Sequence, residues 1–147
     1  MNFDPNKIKI PLIVSLCSIK AINKHIRSFK CIYSDKEGYY WVGTDYGLFK
    51  LSKDRKKILH SFKHNPKDTN TLSIGGVCAI AEDLYGRLWV GTWGGGLNLF
   101  KPDKKSFKRF DQKDEGFLSP LFISNNSILC IAPDSDGKFW IGTLKDI

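Results

Sequence analysis

Apolar residues recur along the chain in short runs separated by turn residues, which is the pattern of β-strands. The clearest example is the stretch from residue 77 to residue 100. It holds three apolar runs, Val77–Ala81, Leu88–Thr92 and Leu97–Phe100, with a turn after each of the first two. The pattern predicts three antiparallel strands joined by two tight turns.

The first of these turns has a distinct chemistry. Asp83 stands at its first position and Gly86 at its fourth, which suits a type I turn whose Asp side chain accepts a bond from a backbone N–H. Glycine also tolerates the positive φ of the bulge that follows such a turn. The second turn, Gly94–Gly96, lacks the glycine spacing of a phosphate-binding loop, and no helix is predicted after it.

The core of this stretch occurs three times, as D-x-x-G-x-x-W-[VI]-G-T at residues 35–44, 83–92 and 134–143, and the spacing from tryptophan to tryptophan is 48 and then 51 positions. A period near fifty with several short strands per period is typical of propeller blades. The predicted fold is all-β, a partial β-propeller of about two and a half four-stranded antiparallel blades. The residues that define the repeat are Asp35, Gly38, Trp41, Asp83, Gly86, Trp89, Asp134, Gly137 and Trp140.

The predicted propeller covers residues 26–147, as a blade at 26–62, a blade at 72–110 and a half blade at 122–147. Polar connectors that contain proline separate these units. The predicted strands outside the central stretch are Phe29–Ser34, Tyr39–Thr44, Leu48–Leu51, Lys57–Phe62, Phe107–Phe110, Ile128–Ala132 and Lys138–Thr143.

The N-terminal segment, residues 1–25, belongs to no repeat. Lys7 and Lys9 precede the apolar run Ile10–Cys17, and this arrangement resembles a weak export signal. The run is short and contains Pro11, and these features favour an edge strand instead. Such a strand, Ile8–Ile19, is a candidate partner for the last predicted strand.

The chain carries a formal net charge of +8, and its basic residues concentrate in Lys53–Lys57 and Lys101–Arg109. Both clusters are consistent with a solvated rim, or with attraction to an anionic polymer such as an acidic glycan or a nucleic acid. Because no aromatic–basic nucleic-acid motif accompanies them, a nucleic-acid partner is not expected.

The four cysteines, Cys17, Cys31, Cys78 and Cys130, form no Cys-x-x-Cys pair, so a zinc site is not indicated. Cys31 and Cys130 occupy the repeat position that holds Ala79 in the middle copy. They are therefore interpreted as small buried hydrophobic residues, with a disulfide as the alternative.

The repeated aspartates are interpreted as turn formers rather than as metal ligands or catalytic groups. The repeated tryptophans are expected in the core between blades, and the glycine two residues after each is expected to let the next blade approach closely. None of His25, His60 and His64 has a partner at a recognisable motif spacing, so no catalytic residue, cofactor or metal is predicted.

Two aromatic residues, Tyr46 and Trp93, lie at equivalent turns of the first two repeats, where an aromatic residue is not required. Sugars stack on flat aromatic rings, so these residues are the candidate ligand-binding positions, with packing against a neighbouring connector as the alternative. Alternation of strand direction places both turns on the same face as the connectors, where binding loops on rigid scaffolds usually lie.

The repeat cores, the segment Gly95–Asn98 and the connector at residues 63–73 together resemble the two-component regulator propeller repeat. The resemblance covers residues 29–143, although the first copy has a shorter second turn and the third copy stops after its second strand. It implies a non-enzymatic, periplasmic sensor segment of a hybrid sensor histidine kinase from polysaccharide-degrading gut bacteria, responding to an oligo- or polysaccharide. The alternatives are a fragment of a propeller lyase or hydrolase, or a protein-interaction propeller.

A partial ring exposes strand edges and blade faces that a closed propeller covers. We therefore expect the first blade to have an uncovered face. The expected partners are the remaining blades of a larger protein, or other copies of this chain bound through the open edges.

Overall fold

The computed structural model describes residue 26 and residues 28–112 and 123–144. The N-terminal segment, with its alternatives of an edge strand or an export signal, lies outside these residues. The described part contains no helix, and so none that could span a membrane. Its ten strands are β1 (Phe29–Ser34), β2 (Tyr40–Thr44), β3 (Gly47–Leu51), β4 (Ile58–Phe62), β5 (Val77–Glu82), β6 (Leu88–Thr92), β7 (Gly96–Lys101), β8 (Ser106–Phe110), β9 (Ile128–Pro133) and β10 (Phe139–Thr143).

The strands form three antiparallel sheets in chain order, β1-β2-β3-β4, β5-β6-β7-β8 and β9-β10. Two four-stranded blades and one half blade confirm the predicted all-β, partial-propeller fold. Every observed strand end lies within one residue of the predicted one, because turn residues mark the strand ends in each repeat.

The first strand of each blade carries an irregularity that the pattern did not predict. Its register against the second strand shifts by one residue at Lys30 in β1, at Cys78 in β5 and at Leu129 in β9. A bulge at this position increases the local twist of the strand. The three blades therefore share one backbone shape as well as one sequence motif.

Successive blades approach closely at the glycine of each second strand. A Cβ added to Gly43 would lie 2.6 Å from Cγ1 of Val77 in the next blade. A Cβ added to Gly91 would overlap Ile128 of the third blade in the same way. The expected role of these glycines is confirmed, since any larger residue would push the neighbouring blade away.

The repeated tryptophan packs beside that glycine, between two blades. Trp41 stacks on Phe62 of its own blade, with 6.0 Å between ring centroids, and meets Phe100 of the next blade edge-on at 5.2 Å. Trp89 likewise meets Phe139 of the third blade edge-on at 5.8 Å. Trp41 and Trp89 are 2% and 6% exposed, as expected for core residues.

Trp140 departs from this pattern, because it is 71% exposed. The expectation that all three tryptophans are buried is wrong for this residue. No further blade follows β10 among the described residues. No described strand therefore covers Trp140 as β5–β8 cover Trp41 and β9–β10 cover Trp89. Cys130, on the same half blade, is exposed for the same reason.

The opposite end of the array, the first face of the first blade, is better covered than expected. Val42, Phe49 and Leu51 are buried there in one cluster with Ile26. The expectation of an uncovered face is therefore wrong for these residues. The two ends of the array differ, and the open interface lies on the third blade.

The burial of Trp89 and the exposure of Trp140 predict very different effects of the same truncation. Trp89→Ala should destabilise the fold by about 3–5 kcal/mol, because it leaves a cavity between two blades. Trp140→Ala should cost less than about 1 kcal/mol. Urea unfolding of both variants measures the difference, and equal costs would contradict the assignment of the core.

Candidate functional site

The face formed by the turns between first and second strands is built around the repeated aspartates. In each copy, Oδ2 of the Asp accepts a hydrogen bond from the indole Nε1 of the Trp six residues later. The N···O distances are 2.8 Å for Asp35–Trp41, 3.0 Å for Asp83–Trp89 and 3.2 Å for Asp134–Trp140. The motif thus joins the turn to the core residue of the next strand.

The second carboxylate oxygen of each aspartate closes the turn. In the middle repeat Oδ1 of Asp83 accepts bonds from the backbone N–H groups of Tyr85 and Arg87, both at 2.9 Å. Gly86 N–H donates to the Asp83 carbonyl at 3.0 Å, and Gly86 has a φ of +75°. These bonds define a type I turn followed by a bulge, as predicted.

Sequence reasoning identified the turn role of the aspartate and the core role of the tryptophan, but not the bond between them. The signal was the constant six-residue spacing in all three copies. A buried indole N–H usually has a hydrogen-bond partner, and the Asp is the polar residue that recurs beside it.

The Asp83 carboxylate is almost fully buried and its bonds are all structural. Burial opposes its ionisation, but the hydrogen bonds from Trp89, Arg87 and Tyr85 together outweigh that effect and lower its pKa. The Arg87 guanidinium also forms an ion pair with it. A carboxylate held in this way is stabilised as an anion and has no free position for a substrate proton.

The opposite face carries the two candidate ligand-binding residues. Tyr46 lies in the turn between β2 and β3 and is 61% exposed, and Trp93 lies in the turn between β6 and β7 and is 48% exposed. They belong to neighbouring blades. Both turns contact the connector at Gly76. The Trp93 N–H donates to the Gly76 carbonyl at 2.9 Å, and a Cβ added to Gly76 would contact Asp45 of the other turn.

The connector crosses this face with little space beneath it. Gly75 has a φ of +96°, and a Cβ there would overlap the Trp93 carbonyl. Ile74, beside it, is exposed. The face therefore presents two aromatic rings and one aliphatic side chain around a tightly packed, glycine-rich connector.

A buried polar network fixes this connector from below. Asn98 is fully buried; its Oδ1 accepts the Ser73 N–H at 2.9 Å, and its Nδ2 donates to Ser73 Oγ at 2.8 Å. Ser73 Oγ also lies 2.8 Å from Thr92 Oγ1. Because each of these groups has a partner, the network rigidifies the base of the aromatic face.

Arg109 of β8 holds the earlier part of the same connector. Its Nε donates to the Thr71 carbonyl at 2.8 Å, and its Nη2 to the carbonyls of Asp68 and Leu72 at 2.9 and 3.1 Å. The sequence placed Arg109 in a basic cluster and gave no sign of this role. Only the folded connector reveals it, since most of the acceptors are backbone carbonyls and the one hydroxyl acceptor, Thr71 Oγ1, lies 38 residues away in the sequence.

His64 lies next to Arg109, but the pair is not a catalytic arrangement. His64 Nδ1 lies 2.9 Å from the Leu72 carbonyl and donates to it when Nδ1 carries the proton. The nearby carboxylate, Asp68, accepts bonds from Asn70 and contacts neither the His64 ring nor the Arg109 guanidinium. The cluster stabilises the loop.

Among the described residues, the cysteines and the side chains that could bind a metal form no reactive or metal-binding group. Burial raises the pKa of Cys31 to about 12, so its thiol is protonated and unreactive at neutral pH. Cys31, Cys78 and Cys130 are free thiols, so no disulfide joins these three. Within the described ranges no group of three His, Cys, Asp or Glu side chains is placed to hold a metal ion.

Comparison with known proteins identifies what the repeats resemble. A family model for the two-component regulator propeller matches residues 23–46 and 123–145, which contain the first and third copies of the motif. No curated protein matches the chain significantly.

Solved structures are also similar. The extracellular domain of a proposed hybrid two-component system from B. thetaiotaomicron is 32% identical over 78% of this chain, with a TM-score of 0.61. A second such domain from that organism is 22% identical over 78% of the chain, with a TM-score of 0.59. The WD40 propeller domain of Doa1, 12% identical over 81% of the chain with a TM-score of 0.58, shares the fold. The chain spans 14% of the length of each extracellular domain.

The lowered pKa of Asp83 predicts a pH-dependent contribution to stability. The stabilisation is fully present above the pKa of an unfolded Asp, near ~3.9, and is lost as pH falls through the lower folded-state pKa. Asp83→Asn should therefore destabilise the chain by roughly 1–3 kcal/mol at pH 7, with a smaller deficit below about pH 3.

Urea titrations of the parent and Asp83→Asn between pH 7 and pH 2.5 measure this deficit. Asp103→Asn, at an exposed position in the turn between β7 and β8, is the matched control and should show little change at any pH. A deficit for Asp83→Asn that stays constant with pH would contradict the role of the ionised carboxylate.

Proposed function

The chain carries repeats of the two-component regulator propeller family, and we propose that it is a non-catalytic segment of the sensor region of a hybrid two-component system. The similarity at 32% identity to an extracellular domain supports a location outside the cytoplasm, in the periplasm. The kinase and regulator of such a system would be supplied by other parts of a longer protein.

The proposed stimulus is a carbohydrate bound at the aromatic face, by Tyr46 and Trp93. The observation that carries this proposal is the exposure of two aromatic rings at equivalent turns of neighbouring blades. Their supporting connector is fixed by the Asn98–Ser73–Thr92 network, so the rings stand on a rigid base. Flat, exposed rings on a rigid base suit the apolar C–H faces of sugars.

The two alternative functions predict different surfaces. A lyase or hydrolase fragment would need a histidine, a carboxylate and an arginine facing the ligand. In the described part, His64, Asp68 and Arg109 stabilise the connector instead. A protein-interaction propeller would present apolar loop tips, and Ile74 is one such residue beside the two rings. The two rings favour sugar over protein.

Glycan binding by the full chain tests the proposal. We expect weak binding of one class of oligosaccharide on a glycan array, reduced at least tenfold in titrations of Tyr46→Ala/Trp93→Ala. Tyr85→Ala removes a ring that is 81% exposed on the opposite face, and it should leave the affinity unchanged. Binding that survives the double variant would place the site elsewhere. An equal loss of affinity in Tyr85→Ala would show that binding does not depend on which face carries the ring, and it would contradict the assignment of the site to the aromatic face.

We also propose that the remaining blades of the longer protein cover the open face of the third blade. Trp140 and Gly142 lie there as Trp41 and Gly43 lie at the first interface, where Val77 and Phe100 of the next blade cover them. A further blade with a β-branched residue at the start of its first strand would fit Gly142 in the same way. Without it, the chain exposes an interface that other copies can occupy.

Sedimentation of the isolated chain tests this second proposal. The sedimentation coefficient should rise with concentration in the micromolar range, and Trp140→Arg should abolish the rise by placing a charge on the open face. Tyr85→Arg adds the same charge at an exposed position on the turn face and should leave the association intact. A concentration-independent monomer for the parent would refute the proposal.

A further inference from the structure

The outer edge of the second blade is strongly cationic, and it borders the aromatic face at Ile74, Gly94 and Gly95. Two adjacent clefts of about 610 and 640 Å³ open along β8 and the first connector, and both are lined by Asn70 and Phe107. Volumes of this size accommodate small ligands. The described cationic side chains around them are Lys63, Lys101, Lys104, Lys105, Lys108 and Arg109.

Few negative charges balance this edge. The carboxylates that line the clefts, among the described residues, are Asp68 and Asp111. Asp68 already accepts two bonds from Asn70. The ion pairs formed between described residues, Lys30–Asp45 and Arg87–Asp83, lie elsewhere. The edge therefore carries an excess of positive charge that attracts anions.

Arg109 fixes one of these charges in place. Its Nε and Nη2 donate to neutral acceptors of the connector, and no carboxylate contacts it within the described residues. Its Nη1 donates no hydrogen bond to a described residue, and the side chain lines the first cleft. Because the guanidinium is half-buried and held at several points, its charge is less screened and less mobile than that of a surface lysine.

The clefts also supply neutral hydrogen-bonding groups. Thr69, Asn70 and Asn126 line the first cleft, and Ser61 and Ser106 line the second. Hydroxyl and amide groups of this kind suit sugar hydroxyls. The phenyl rings that line the clefts, Phe62 and Phe107, pack edge-on against each other with 5.4 Å between their centroids. Phe107 is buried, and the half-buried Phe62 also packs on Trp41 and Phe100, so neither offers an exposed ring on which a nucleic-acid base could stack. These observations favour an acidic glycan over a nucleic acid.

We propose that this edge binds an acidic polysaccharide. Its sulfate or carboxylate groups lie against the lysines and Nη1 of Arg109, and its hydroxyls lie against the amide and hydroxyl side chains of the two clefts. Neither Tyr46 nor Trp93 lines either cleft, so loss of these rings and loss of the edge charges are separate tests of the two surfaces.

Binding of the full chain to defined polymers tests the proposal. We expect it to bind dextran sulfate or polygalacturonate at moderate salt, with an affinity that falls as salt rises, and not to bind neutral dextran. Oligothymidylate of comparable charge should bind at least tenfold more weakly. Equal affinity for oligothymidylate, or binding to neither acidic polymer, would overturn the proposal.

A pair of charge-matched variants separates a site from a general effect of net charge. Lys101→Gln/Lys104→Gln/Lys108→Gln removes three charges from the edge, and it should weaken binding at least tenfold and flatten the salt dependence. Lys53→Gln/Lys56→Gln/Lys57→Gln removes three charges at the corresponding hairpin of the first blade, which lines neither cleft. It should change the affinity less than twofold, and equal losses in both variants would overturn the proposal.

Discussion

The close approach of successive blades at the glycine of each second strand governs the rest of the structure. At Gly43 and Gly91 the next blade places a β-branched side chain where a Cβ would otherwise lie. The tryptophan two residues earlier lies on the same face of the blade, and an aromatic ring of the next blade packs edge-on against it. Its indole N–H, removed from water, is then satisfied by the aspartate of the preceding turn. The Asp, Trp and Gly of the ten-residue motif thus all serve the contact between one blade and the next.

The same constraint accounts for the asymmetry between the two ends of the chain. Trp140 keeps its bond to Asp134 although its ring is exposed, so that bond needs no neighbouring blade to form. Burial of the ring does need one. The turn is therefore a local element that each repeat specifies by itself, whereas the core is shared between repeats, as in other repeat proteins.

This division explains how much could be predicted from the sequence. Strand ends were predicted to within one residue because turn residues are local signals that recur in every copy. The burial of each tryptophan was less predictable, because it depends on whether a further blade follows. The role of Arg109 was not predictable at all. Its acceptors include the carbonyls of residues 68, 71 and 72, which the side-chain pattern does not record, and the hydroxyl of Thr71, which is distant in the sequence.

The first connector links the two surfaces to which binding is assigned. Its earlier half, with His64 and Asn70, lines the cationic clefts. Ile74 lines the first cleft as well, and Gly75 and Gly76 pack beside Trp93 on the aromatic face. Arg109 holds the segment between them through the carbonyls of Thr71 and Leu72, directly before the buried Ser73. The two surfaces therefore share one connector and the hydrogen bonds that hold it, although each has its own chemistry.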